Sequence, residues 1–392
     1  MFRLLTPASC LWLGLLVACS VTLSACGGGD GAPLSAEAAV GQRAFNDPIL
    51  SASGRLACAS CHAPQTGHAA ANALAVQLGG VTMDVPGLRA SQSLRYLASN
   101  KAFHFDDVGT PTGGFFWDGR ADSLAGQAAG PLLGAREMAN ADKASVVARI
   151  AQAQWAGEFK AIYGADILQN ADLAFEKLTQ ALERFQLEDA VFNSFSSKFD
   201  AYLRGQTSLT AQEARGLALF NDPAKGNCAS CHTSAKDASG RHPLFTDFSY
   251  DNLGVPRNYD IPENANTNYY DPGLCGRSGL AARQDLCGAF KVPSLRNVAL
   301  RKAYFHNGKF KSLTEVLTFY VQRDTNPEKW YPANPDGSIR KFDDLKPEWR
   351  ANVNTTEAPY DRQPGDAPAL SALEIADVIA FLGTLNDGWN GQ

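Results

Sequence analysis

Cys58-Ala59-Ser60-Cys61-His62 occurs a second time, letter for letter, as Cys228-Ala229-Ser230-Cys231-His232. Two thiols three positions apart, with a histidine directly after the second, is the attachment pattern of a c-type haem. The thiols add across the two vinyl groups of the macrocycle, and the imidazole reaches the iron as proximal ligand. One short turn must therefore present three groups to one rigid plane. A structural zinc site would hold two such pairs close together, whereas 170 residues separate Cys58 from Cys228. A redox dithiol has no use for the histidine. The chain is expected to carry two covalently bound haem c groups, one through Cys58, Cys61 and His62 and one through Cys228, Cys231 and His232.

The N-terminus reads as a targeting segment. Arg3 precedes an apolar run over 11–23 that is too short for a spanning helix. Leu23-Ser24-Ala25-Cys26 resembles a bacterial lipobox, which makes 1–25 a lipoprotein signal peptide and Cys26 the lipid anchor. The glycines after it suit a flexible tether over 26–33. The plainer alternative is a secreted protein cleaved nearby. Either way the chain leaves the cytoplasm. The lipobox reading places it in the periplasm, held to the outer membrane through lipid alone, because no later apolar run is long enough to span. Of nine cysteines, Cys10 and Cys19 leave with the signal, Cys26 takes lipid and four take haem. Cys275 and Cys287 remain, and a disulfide between them is favoured over a metal pair, since no other unassigned thiol exists. A formal net charge of −5 offers no basic footprint for nucleic acid.

The haem motifs sit inside a longer repeat. Leu34-Ser35-Ala36-Glu37 runs through Gly41 and Phe45 to Asn46-Asp47-Pro48, and Leu209-Thr210-Ala211-Gln212 runs through Gly216 and Phe220 to Asn221-Asp222-Pro223. Each reads as a capped amphipathic helix stopped by proline, with a glycine that admits a close neighbour. Downstream, Ser93-Leu94-Arg95 matches Ser294-Leu295-Arg296. Phe116-Trp117-Asp118-Gly119 matches Phe305-His306-Asn307-Gly308, and Ser123-Leu124 matches Ser312-Leu313. Helical spacing of apolar residues also marks 146–153, 173–187 and 373–385, the last capped by Ser371 and Glu374. Loops over 63–115, 233–290 and 326–370 are long and irregular, which is uncommon unless they line a site. The expected fold class is mainly α: two cytochrome c-like domains, 34–204 and 205–392, each with one haem, hinged near Arg204-Gly205-Gln206.

An inventory of ligands separates the two irons. No methionine follows Met138, so a His/Met pair, the high-potential arrangement, cannot form in the second half from its own residues. Tyr320, His242 and His306 are the alternatives there. On its residues alone, Tyr320 in Leu317-Thr318-Phe319-Tyr320 reads first as core. The 189 residues that separate Ser123 from Ser312 also separate Pro131 from Tyr320. Proline cannot ligate, so the first iron is open unless His68, His104 or Met83 swings in. An open ferric haem binds peroxide, which then needs a base to take its proton and an acid to return it to the leaving oxygen. Glu137 could do both, although a glutamate is ordinarily solvated. Trp117 stands where the repeat has His306, and either packs between elements or relays an electron between haems.

These residues resemble the bacterial di-haem cytochrome c peroxidases, and within them the MauG-like branch. The resemblance spans nearly all of the chain beyond the signal. It rests on the two haem motifs, Phe115-Phe116-Trp117-Asp118-Gly119-Arg120, Gly130-Pro131 with Glu137-Met138, Val292-Pro293-Ser294-Leu295-Arg296-Asn297 and Tyr304-Phe305-His306-Asn307-Gly308. It implies that His62 is proximal ligand of a peroxidatic haem, with Pro131 in its distal pocket and Glu137 as acid/base residue. It places Trp117 between the haems and makes His232 and Tyr320 the ligands of the second iron. Ordinary members carry methionine at the position of Tyr320. The implied enzyme uses hydrogen peroxide to reach a high-valent haem state and oxidises a protein or small-molecule donor. The alternatives are a conventional peroxidase that detoxifies peroxide with electrons from a small periplasmic cytochrome or cupredoxin, and a non-catalytic di-haem electron carrier. The family's inter-domain calcium draws on an asparagine in Gly-x-Arg-Asn. Here the stretch is Gly87-Leu88-Arg89-Ala90, which counts against calcium. The surface tryptophan that MauG carries just before its second motif is replaced by Gly226-Asn227, so the MauG substrate is not implied. Trp330 and Trp349 are other surface candidates, each read first as core.

Overall fold

A computed structural model of the chain describes residues 32–391. The signal segment, Cys26 and nearly all of the expected tether lie outside the described residues. Ten α-helices occur among them. The first six are α1 (Ala36–Asn46), the single turn α2 (Cys58–Cys61), α3 (Leu124–Leu133), α4 (Lys143–Ile150), α5 (Ala156–Tyr163) and α6 (Ala171–Glu188). Then follow α7 (Lys198–Leu203), α8 (Ala211–Asn221), α9 (Leu313–Gln322) and α10 (Ala372–Gly383). Strand is confined to three antiparallel hairpins of two-residue strands: β1 (Leu78–Gly79) with β2 (Val85–Pro86), β3 (His104–Phe105) with β4 (Pro111–Thr112), and β5 (Tyr250–Asp251) with β6 (Phe290–Lys291). The fold is mainly α.

Side chains set most helix starts. The Ser35 hydroxyl accepts the Ala38 amide at 3.2 Å, and Thr210, Ser312 and Ser371 each form a reciprocal box with the glutamate three residues on. The helices then bury one face each in one of two apolar clusters. Val40 to Phe192 supply the first, through α1, α4, α5 and α6. Phe199 to Leu385 supply the second, through α7, α8, α9 and α10. The core therefore changes between Phe192 and Phe199, upstream of the hinge expected at Arg204-Gly205-Gln206. The reason is α7: Phe199 packs edge-on to Phe245 and Phe381, and its amide donates to the Thr384 carbonyl at 3.0 Å. Both α5 and α7 lie where the periodicity of the sequence marks no helix.

The paired glycines do the same work twice. A Cβ on Gly41 of α1 would overlap the Ala181 carbonyl of α6, and one on Gly216 of α8 would overlap the Asp377 carbonyl of α10. Each helix pair thus crosses backbone to backbone, and each brings the following haem-motif turn onto its core. The long loops carry short 3-10 turns. Cys275 and Cys287 are joined by a disulfide, with Cα atoms 4.8 Å apart. Among the described residues no helix is long and apolar enough to cross a membrane.

Candidate haem and peroxide site

Both motifs wind as single turns that put three groups on one side. In each, the histidine amide donates to the carbonyl of the first cysteine, His62 to Cys58 at 2.9 Å and His232 to Cys228 at 2.8 Å. The four thiols are free. Burial pushes Cys58 and Cys228 up to about 12 and Cys61 and Cys231 up to about 11, so neither pair carries the thiolate of a redox dithiol. His62 Nδ1 lies 3.0 Å from the Gln92 carbonyl and 3.2 Å from that of His68. His232 Nδ1 lies 2.8 Å from the Phe245 carbonyl. A carbonyl only accepts, so Nδ1 carries the proton in both rings, and Nε2 keeps its lone pair without a protein partner among the described residues. The loops that supply these carbonyls are themselves repeats. His68 and Phe245 both have φ of 54°, and the Leu94 and Leu295 amides cap their respective carbonyls.

Both imidazoles and the second thiol pair open onto one cavity of about 920 Å³. A smaller pocket of about 100 Å³ adjoins the first motif, lined by Cys58, Cys61 and His62 together with Pro131 and Glu137. Free paired thiols, an unpartnered Nε2 and a roomy, mostly apolar cavity at each turn are what a covalently held haem needs. The residues present fit that group twice.

At matching places in the repeat the cavity lining presents a different group in each half. The Phe115 amide donates to Ala121 and the Tyr304 amide to Phe310, at 2.7 and 3.0 Å. Inside these matching turns Phe116 and Phe305 both take left-handed backbone, φ 67° and 63°. Phe116 lies against Gly130, next to Pro131 on α3. Phe305 lies against Tyr320 on α9, ring centroids 5.7 Å apart. Tyr320 lines the large cavity with His232; burial raises its pKa, and the nearby Cys228 and Cys231 add to the rise. On the first side, Glu137 sits in the turn after α3, its carbonyl accepting the Gly80 amide at 2.8 Å. Glu137 lines the cavity. Burial raises its pKa, opposed by the charge of Arg120, and its own charge reaches both Cys58 and Cys61.

Trp117 and His306, equivalent in the repeat, meet through Ala90. The Trp117 Nε1–H donates to the Ala90 carbonyl at 2.8 Å, and the Ala90 amide donates to the His306 carbonyl at 2.7 Å. Both rings line the cavity, and His306 stacks on Phe290 with centroids 3.6 Å apart. Beside them, Arg89 pairs with Asp118 and Asp271, each at 2.6 Å, and Ala90 has no side-chain oxygen to offer a calcium ion.

Several residues named as alternatives lie elsewhere. His68 packs on Phe192, its ring 4.3 Å away; Met83 accepts the Ser53 hydroxyl at 3.4 Å; His104 is exposed on β3. None of the three lines the cavity. His242 is bound to Asp200 at 2.6 Å, also outside it. Trp349 is buried, 7% exposed, and Trp330 packs against Phe319 at 5.5 Å. Residues that sequence reasoning passed over include Arg120, stacked on Phe116 at 3.5 Å, and Tyr360, whose ring lies 5.9 Å from Tyr320. Arg120 sits inside a quoted motif. No pattern marks Tyr360.

Comparison with known proteins points to one family. A family model described as di-haem cytochrome c peroxidase matches residues 35–208. The methylamine utilization protein MauG of Paracoccus denitrificans is 34% identical over 371 residues, which is 89% of this chain and 88% of the relative. The diheme peroxidase BthA from Burkholderia thailandensis has 37% identity and a TM-score of 0.83, covering 91% of this chain and 87% of that one. A MauG-like protein associated with microbial copper homeostasis superposes with a TM-score of 0.62 at 26% identity, covering 91% of each chain. Fold and site define a c-type peroxidase of the two-haem class. The chain belongs to the bacterial di-haem cytochrome c peroxidases, in their MauG-like branch, and is a peroxide-dependent oxidoreductase.

Proposed function

We propose that the two haems are held covalently, one by Cys58, Cys61 and His62 within 34–204 and the other by Cys228, Cys231 and His232 within 205–392, and that only the first reacts with peroxide. The observation that carries this reading is the asymmetry across matching turns. Pro131, without a ligating atom, stands where Tyr320 stands in the second half. When bound, haem supplies an iron that takes up the two oxidising equivalents of peroxide and passes them to a donor. Glu137, which lines both the large cavity and the smaller pocket beside the first motif, would take the proton from peroxide and return it to the leaving oxygen. Pro131 keeps the distal side clear. Tyr320, on α9, would hold the second iron through its phenol oxygen, a ligand that would favour the oxidised state. Trp117, fixed by its bond to Ala90, bridges the two sites. The donor is a protein or small molecule outside the cavity, of the kind that a small periplasmic cytochrome or cupredoxin represents, and the chain works in the periplasm, tethered through lipid on Cys26.

Ferric spectra test this directly. One high-spin and one low-spin haem are expected, and the fully ferric protein should react with peroxide without prior reduction. Tyr320→Phe should retain both haems and convert the low-spin signal to high-spin. Two low-spin haems in the parent would mark an electron carrier instead. A need for half-reduction would mark a conventional peroxidase.

A further inference from the structure

Six arginines line the large cavity: Arg89, Arg95, Arg120, Arg136, Arg296 and Arg301. Five have a carboxylate within 3.0 Å. Arg89 meets Asp118 and Asp271, Arg95 meets Asp387, Arg120 meets Asp118, Arg136 meets Glu263 and Arg296 meets Asp200. Arg301 has none among the described residues. One guanidinium N–H donates to the Ser91 carbonyl at 3.0 Å, and no other has a partner there. Burial pushes its pKa down to about 10, which still leaves it charged at neutral pH. A guanidinium that faces a cavity with no protein counter-charge offers a place to an anion, because desolvating such a cation unpaired costs several kcal/mol.

The position of Arg301 says which anion. Ser91 adjoins Gln92, whose carbonyl fixes His62 Nδ1 at 3.0 Å, and the Arg301 charge is felt at the His62 ring. Arg301 belongs to the part of the chain that builds the second core, yet its charged end bonds Ser91, one residue before the Gln92 carbonyl that holds His62. Resting on the haem assignment proposed above, we infer that Arg301 is the counter-ion of a propionate carboxylate on the haem held at His62, a clamp that the second half of the chain closes on the cofactor of the first. A planar guanidinium suits a carboxylate through two parallel bonds, whereas the ammonium of lysine makes a point contact. A cation paired with a propionate there would favour the reduced iron, so it would raise the midpoint potential of that haem more than that of the other.

The test uses the full-length holoprotein with Arg301→Gln and Arg301→Lys. Haem is first counted as the pyridine haemochrome. Fewer than two covalent haems per parent chain would refute the haem assignment itself, not the clamp. With two present, the propionate-bending band of the high-spin haem in resonance Raman spectra should shift in both variants. The midpoint potential of that haem should fall in Arg301→Gln and stay near the parent value in Arg301→Lys, while the low-spin haem keeps its band and shifts less in potential. If Arg301→Gln does not accumulate, the band in Arg301→Lys decides alone. An unmoved band, or equal shifts at both haems, would overturn the inference.

Discussion

At the scale of single residues, the chemistry turns on Glu137. Burial raises its pKa above the ordinary 4.5, while Arg120 opposes the rise. A base must be ionised to take a proton, so the rate of reaction with peroxide should decline as pH falls, with its half-point above 4.5 and not below it. Glu137→Gln should slow that reaction by about 10²–10⁴-fold, the usual worth of a positioned acid/base group, and should abolish the acid limb. Stopped-flow mixing with peroxide across pH reads both, and an unchanged limb in the variant would assign it to another group. The haem motifs were legible from their spacing, and the repeat aligns Pro131 with Tyr320, but the ligand role expected of Tyr320 comes from the resemblance and not from its own residues. Arg120 and Arg301 were not legible. A charged residue in a loop reads as solvated by default; Arg301 is set apart only by the lack of a carboxylate near it among the described residues, and Arg120 by its place over the Phe116 ring.

At the scale of elements, the most consequential choice is a glycine in the middle of α1 and another in α8. Helix interiors disfavour glycine, so its presence in both halves signals a close approach in the sequence itself. Gly216→Ala drives a methyl into the Asp377 carbonyl of α10, where backbone must move. It should cost about 1–3 kcal/mol of stability, the range for overpacking. Gly157→Ala in α5 meets open space and should stabilise by up to about 1 kcal/mol. Denaturant titration of both variants separates the two effects, and equal shifts would mean that the helix crossing is not tight. Capped helices such as α8, α9 and α10 could be read because a hydroxyl and a glutamate announce them. By contrast, α5 begins at Trp155 with no side-chain cap. The cavity-lining loops hide more deeply still. Phe116, Phe245 and Phe305 hold left-handed backbone, which no propensity favours for a bulky residue and which only their packing explains.

At the scale of the whole molecule, two cores contiguous in sequence are joined through charges buried at the cavity wall, and Arg89 is the central one. It links Asp118, from the segment that follows the first motif, to Asp271, from the segment that follows the second. This link was invisible in sequence, because the three residues share no motif and 153 residues separate Asp118 from Asp271. Burial alone would raise the Asp271 pKa. Arg89 overrides it and holds the carboxyl down at about 2, against an ordinary 3.8. A folded-state pKa below the unfolded value contributes stability that is present above about pH 4 and lost as pH falls from there toward 2. For a shift of this size the contribution is about 2 kcal/mol. Arg89→Met removes the cation and leaves Asp271 desolvated beside Asp118, so at neutral pH it should cost about 3–5 kcal/mol, as expected when a buried pair loses one partner. It should also reverse the sign. Without the cation, burial lifts the Asp271 pKa above its unfolded value, and the variant should regain stability as pH falls through the carboxylate range, where the parent loses it. Denaturant midpoints taken between pH 3 and 7 for both proteins give the two slopes, and parallel slopes would show that Arg89 does not govern the charge state of Asp271.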